Sequence, residues 1–321
     1  MSQPISMARA DAQAGWPASI FDPAGPYAGS VTALSWILIA MSIAVLALVI
    51  FAFWAALFGN ARLKKRLGGT RAIWIGGVAF PVVVLTMLLI YGLTLTRNLT
   101  APVPAEAMRV RVIGEMWWWR VAYLDPDGQP YMLDANELHI PVGRPVVLEL
   151  ESSDVIHSFW VPQLSGKLDM VPGRRNIMPI QADRPGVFGG QCAEFCGGAH
   201  ALMGFVVVAH EPAAFDRLMA QRRAPRPQQA AEGGAALFRE KGCAACHRIA
   251  GTQANGAAGP DLSHVAARRT LGAGILPNNR GTLMGWIGDS QSIKPGNRMP
   301  AYKMLSAQEL QRLADYLGQQ R

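Results

Sequence analysis

The 321-residue chain is expected to be a multidomain membrane protein: a two-helix transmembrane hairpin, then an all-β sandwich, then a small all-α domain. Three observations carry that expectation. Two long uncharged apolar runs stand near the N-terminus, a stretch of short β-branched segments broken by turns follows, and helical patterning frames a C-x-x-C-H motif near the end.

No Asp, Glu, Lys or Arg lies between Pro23 and Ala61, and residues 31–58 are almost wholly apolar. A bilayer core of roughly 30 Å needs about 20 helical residues, so this run is long enough to span it. A second uncharged run, 72–96, lies between Arg71 and Arg97. Its Pro81 is expected to kink the helix without ending it, because neighbouring helices satisfy the freed carbonyl. The lengths argue against buried soluble helices, and the first run is too long and too far from a basic start for a cleavable signal. The connector at 61–71 holds Arg62, Lys64, Lys65, Arg66 and Arg71, and short basic loops stay in the cytoplasm. Residues 1–30 and everything after the hairpin (31–97) are therefore expected on the far side of a multi-pass bacterial inner membrane, in the periplasm or its equivalent.

From 98 to 220 the texture is of strands: 109–123, 145–152, 176–183 and 204–210 are β-branched or apolar, split by turns such as DPDG and PGRR. Short strands at that spacing predict an antiparallel sandwich or barrel. Residues 221–232 are polar, carry two prolines and show no apolar period, which reads as a linker. The final domain, 233–321, has helical patterning at both ends, and Ser306 with Glu309 fits a capping box. Its middle is rich in Gly, Pro and Asn, so it needs more than apolar side chains to hold it. The net charge of +8 divides as +5 over 1–100, −5 over 101–220, +2 over 221–232 and +6 over 233–321. A basic whole usually points to nucleic acid or an anionic surface, but here an acidic section adjoins a basic one, and no nucleic-acid partner is expected.

An oxidising compartment favours disulfides, yet the four cysteines form two tight pairs, which points to cofactors. In CAACH (243–247), Cys243 and Cys246 can form thioethers to one haem while His247 takes the iron as proximal ligand. A redox dithiol would need a βαβ setting, and zinc would need two further ligands where only His264 is near. The sixth ligand is expected to be Met299, on a stretch that Pro295 and Pro300 keep extended, with Met284 and Met304 as competitors. Methionine and histidine together describe an electron carrier with no open position for oxygen.

The other pair lies in QCAEFCGGAHALM (191–203). Cys196, His200 and Met203, with one upstream histidine, match a single-copper pattern. Cys192 breaks it, since a second thiolate lets two sulfurs bridge two metals, each then taking one histidine and one weaker ligand. A Cys192–Cys196 disulfide would leave His200 and Met203 without purpose, and zinc seldom employs methionine. The outside histidine is expected to be His157; His139 and His210, each alone in a strand-like stretch, read as ordinary sandwich residues.

With an anchor, a β-rich section and these ligands in one chain, the sequence resembles subunit II of the haem–copper cytochrome c oxidases, in the caa3-type form with a cytochrome c domain fused to the C-terminus. DVIHSFWVPQLSGKLDMVPGR (154–174), GGQCAEFCGGAHALM (189–203) and GPDLSHV (259–265) carry the likeness, which covers nearly the whole chain from about residue 20. The resemblance implies a cupredoxin Greek-key sandwich holding the binuclear CuA centre on His157, Cys192, the Glu194 carbonyl, Cys196, His200 and Met203. It also implies that the Glu194 side chain reaches a magnesium ion at the boundary with subunit I, and that Trp117 in EMWWWR is the electron-input tryptophan. Glu115, Met116 and Trp118 stand where many relatives have His, Gln and Tyr.

The implied function is electron input to a terminal oxidase: haem c to CuA to subunit I, whose haems and CuB reduce oxygen to water while pumping protons. Subunit III and a soluble cytochrome c donor are the further partners implied. A quinol-oxidase relative would lack the copper cysteines and the haem domain. A copper-delivery protein with C-x3-C would place its histidine far downstream, whereas His200 follows Cys196 by four.

Overall fold

The computed structural model describes residues 19–102, 104, 106–224 and 233–321. They form two compact units, one spanning 29–102 and the other comprising the residues before it and those from 103 onward.

The first unit is helical. Among the described residues, Pro26–Phe58 and Thr70–Leu99 are the two helices long and apolar enough to cross a membrane, the first beginning five residues before the expected boundary at 31. Their apolar side chains lie on the surface, as suits a lipid environment: Ile43 and Leu85 are exposed. Pro81 does not end the second helix. The irregularity falls just before it, in a π-helical turn at Ile75–Ala79, where the ladder loosens next to a residue that cannot donate. Between the two runs, Asn60 caps the basic helix Ala61–Leu67 by accepting from the Leu63 amide at 2.9 Å.

In the second unit two five-stranded sheets face each other. One sheet contains β1 (Met108–Glu115), β2 (Trp118–Leu124), β3 (Pro130–Ala135), β5 (Val146–Ser152) and β8 (Asn176–Ile180), in the order β3-β2-β1-β5-β8. The other contains β4 (Glu137–Pro141), β6 (His157–Trp160), β7 (Lys167–Met170), β9 (Gly186–Cys192) and β10 (Gly204–His210), in the order β4-β10-β9-β6-β7. The pairing is mixed where the sequence predicted antiparallel strands: β1 runs parallel to β5, and β4 parallel to β10. Chain that crosses to the other sheet and back can re-enter a sheet in the same direction, and local alternation does not report this. Trp119, Tyr123, Phe159 and Phe205 fill the space between the sheets, their inward positions set by the two-residue period of each strand.

The helix Pro212–Arg223 follows β10 and enters the stretch expected as a linker, because Arg222 is held by a buried ion pair with Asp134. The remainder of that stretch, 225–232, lies outside the described residues, as do residues 1–18 of the N-terminal segment. The C-terminal part packs Gly234–Glu240, Arg280–Ile293 and Ala307–Leu317 around Phe238, Leu313 and Tyr316. The Ser306–Glu309 capping box is formed in both directions.

Candidate electron-transfer centres

Strand β6 begins with His157, and β9 ends with Cys192; the register pairs Phe159 with Cys192, which brings the two residues together across the sheet. The following loop is pinned at its base by the Cys192 amide donating to the Met203 carbonyl at 3.0 Å. Six potential donors gather there. Cys192 Sγ lies 3.7 Å from Cys196 Sγ, 3.8 Å from His157 Nδ1 and 3.2 Å from the Glu194 carbonyl oxygen. Cys196 Sγ lies 3.5 Å from His200 Nδ1 and 3.8 Å from Met203 Sδ.

That geometry tests the donor set against a metal pair. Two sulfurs 3.7 Å apart are well beyond the roughly 2.05 Å of a disulfide, and both cysteines are free. Each sulfur faces one imidazole, and the weaker donors, a carbonyl and a thioether, stand on opposite cysteines. The hydrogen bond that the two sulfurs share pulls the Cys192 pKa down and pushes that of Cys196 up. Both become thiolates together only if positive charge lies between them, so the arrangement fits two bridged cations. Burial disfavours the His157 imidazolium, yet its hydrogen bonds to Cys192 and Asp154 hold its pKa above the ordinary value. Asp154 Oδ1 meets His157 Nε2 at 2.8 Å, leaving Nδ1 turned to the sulfurs; a carboxylate behind a ligand histidine fixes its orientation.

Trp117 lies beside this loop, its Nε1 donating to the Cys196 carbonyl at 2.8 Å. The Glu194 side chain is half-buried, and Phe195 next to it is 75% exposed. His139 and His210 are not isolated sandwich residues: their rings stack, with His139 Nδ1 2.8 Å from His210 Nε2, and Arg222 and Glu137 flank them.

In the C-terminal domain Cys243, Cys246, His247 and Met299 line one cavity of about 230 Å³, with Leu271 and Trp286 among its apolar walls. His247 Nδ1 meets the Pro260 carbonyl at 2.8 Å, which commits that nitrogen as a donor and leaves Nε2 for a metal. Met299 is held through its backbone, its amide donating to Asn297 Oδ1 at 2.8 Å and its carbonyl accepting from Gln291 at 2.7 Å. Of the competitors, Met304 is 90% exposed and Met284 packs in the core away from the lining. Two sulfhydryls, an imidazole nitrogen and a thioether around one apolar cavity fit a covalently held haem.

Met116, Trp117 and Trp118 of the sandwich also line this cavity, so the two centres meet at Trp117. Sequence reasoning did not find Asp154, Asp134, Lys294 or Arg268. Asp154 had a weak signal in its position three residues before His157; the others act across a domain interface and had none.

The fold and its two donor sets define a membrane-anchored electron-transfer subunit with a copper-type sandwich and a fused haem-c-type domain. The family described as cytochrome c oxidase subunit II, periplasmic domain, matches residues 108–210, and that described as cytochrome c matches 231–321. The cytochrome c oxidase subunit 2 of Alkalihalophilus pseudofirmus is 36% identical over 92% of this chain and 89% of its own. That of Bacillus subtilis is 30% identical over 84% and 80%. A crystal structure of the periplasmic domain of subunit II of the Bradyrhizobium japonicum cytochrome oxidase is 30% identical, covering 38% of this chain and 97% of that one with a TM-score of 0.33. The chain belongs to the cytochrome c oxidase subunit 2 family, in the caa3-type form that carries its own cytochrome c domain. Membership implies a CuA copper centre, a haem c, a place beside subunit I of a haem–copper terminal oxidase, and a membrane anchor.

Proposed function

We propose that this subunit passes electrons from its haem c, held by Cys243, Cys246, His247 and Met299, to a CuA pair held by His157, Cys192, the Glu194 carbonyl, Cys196, His200 and Met203. When bound, the metals supply two one-electron carriers, and the protein's work is to hold both rigidly and keep water out. The carrying observation is the 3.7 Å sulfur separation with one imidazole beside each sulfur. Trp117 is the bridging side chain in this reading, since it borders the haem cavity and donates to the copper loop.

From the copper pair the electrons go on to subunit I, which reduces oxygen and pumps protons. The apolar patch of Val155, Ile156 and Phe195, all exposed beside the copper loop, supports docking there. Glu194 contributes its side chain to a magnesium ion at that boundary. A soluble cytochrome c feeds the haem, subunit III completes the complex, and the hairpin crosses the bacterial inner membrane twice. The visible and near-infrared spectrum of the purified chain tests the core of this: haem c and a mixed-valence copper pair must both absorb, with two coppers and one iron per chain. A single copper, or none, overturns the binuclear assignment.

A further inference from the structure

Lys294 belongs to the haem domain, just past the helix Arg280–Ile293, and is 2% exposed. Its Nζ donates to three backbone carbonyls: Trp117 at 2.6 Å, Leu202 at 2.7 Å and Gly272 at 2.9 Å. Three donors are the full capacity of an ammonium group, and each finds one acceptor. Two of those acceptors belong to the copper domain, one on the loop bearing Trp117 and one on the loop between His200 and Met203. The third ties the same group back to the haem domain.

The strap that follows Lys294 reaches Met299 through Gly296 (φ +79°), and a Cβ there would stand 3.3 Å from the Trp117 ring. On the opposite side Gly197 (φ +111°), in the copper loop, would place a Cβ 3.1 Å from the same indole. Trp117 is thus enclosed between one glycine from each domain, at a spacing that a small displacement of the strap would spoil. Other contacts secure the periphery: the Gly204 amide donates to the Ala273 carbonyl at 2.9 Å and the Arg269 amide to Glu137 at 2.9 Å.

We propose that Lys294 is a positioning residue for internal electron transfer, its three hydrogen bonds fastening the Met299 strap of the haem domain against Trp117 and the copper loop. The proposal rests on the haem-to-copper reading above. The step moves one electron, oxidising ferrous haem to ferric and reducing the copper pair by one; no bond or proton moves.

The test compares Lys294→Met, which keeps the stem but removes the donors, with the unaltered full chain loaded with both metals. It is run at about pH 6, because burial pulls the lysine pKa down to about 7. Three part-buried carbonyls left without their donor should shift the opening of the interface by roughly a hundredfold. Hydrogen exchange at the Gly204 and Arg269 amides is therefore expected to accelerate by that order, while the Val207 amide inside the sheet keeps its protection. Internal transfer after rapid reduction of the haem should slow, with the spectra and potentials of both centres unchanged, and Lys294→Arg, which keeps charge and donors, should recover part of the rate. Unchanged exchange with unchanged transfer overturns the proposal. So does faster exchange without slower transfer, which would make Lys294 merely structural, or slower transfer with shifted potentials, which would make it an electrostatic tuner. Failure of the underlying reading is distinct: the unaltered chain would then lack one of the two spectra.

Discussion

The Asp134 carboxylate of the copper domain accepts from Arg268 Nε of the haem domain at 2.8 Å, with all but about a twentieth of the arginine side chain buried. Its other oxygen accepts from Arg222 at 2.5 Å. Burial would raise the Asp134 pKa, but Arg268 and then Arg222 overcome it and hold the value at about 2. Removing one member of a buried ion group costs about 3–5 kcal/mol, because the others stay buried without a counter-charge. Asp134→Asn should therefore lower the melting temperature and loosen the haem domain together. A melting curve and interface exchange rates equal to those of the parent would show that the pair carries no stability.

Buried pairs are screened by salt far less than exposed ones. Internal haem-to-copper transfer is accordingly expected to respond only mildly to ionic strength. The same haem domain, severed within 225–232 and added back, must find an acidic partner by diffusion, and its rate should fall steeply with salt. Rapid-mixing kinetics on both forms across a salt series makes the comparison, and equal sensitivities would mean that the docked arrangement is not the productive one.

At the copper loop, Cys192→Ser should lose the binuclear centre, since a hydroxyl does not replace a bridging thiolate. Met203→Leu should keep copper and shift its potential, as expected of a weak thioether. Metal analysis and near-infrared absorption report both, and two coppers per chain in the serine variant would sink the assignment.

For the haem, His247→Ala should abolish normal iron ligation, whereas Met299→Leu should leave the haem attached and lower its potential. Redox titration measures the second effect. An unchanged spectrum in Met299→Leu would shift attention to Met284, Met304 being almost wholly in solvent.

His210 gives an acid-stability prediction. Burial first, then the charges of His139, Arg222 and Arg269, pull its pKa down to about 4, with Glu137 opposing. The unfolded chain binds a proton near pH 6.5 that the folded chain refuses, so stability should fall as pH drops from about 6.5 to about 4. His210→Gln should flatten that part of the curve in thermal melts at graded pH. An identical slope in both proteins would assign the loss to other groups.

The membrane hairpin, the strand-rich middle and the CAACH run were legible because each is a local pattern: apolar length, a two-residue period, or ligands within one turn. The same holds for Cys192, Cys196, His200 and Met203, which thirteen residues bring together whatever the rest of the chain does. Mixed strand direction was not legible, since the parallel pairs β1–β5 and β4–β10 depend on how the chain crosses between sheets. Only the tertiary structure decided that His157, 35 residues from Cys192, meets it across β6 and β9, and that Asp154 stands behind it. It alone decided that Lys294 reaches Trp117, 177 positions away, and that Asp134 meets Arg268. Such contacts leave no trace in local spacing because their cause is burial: a charge taken out of water must find its partner wherever the folded chain places one.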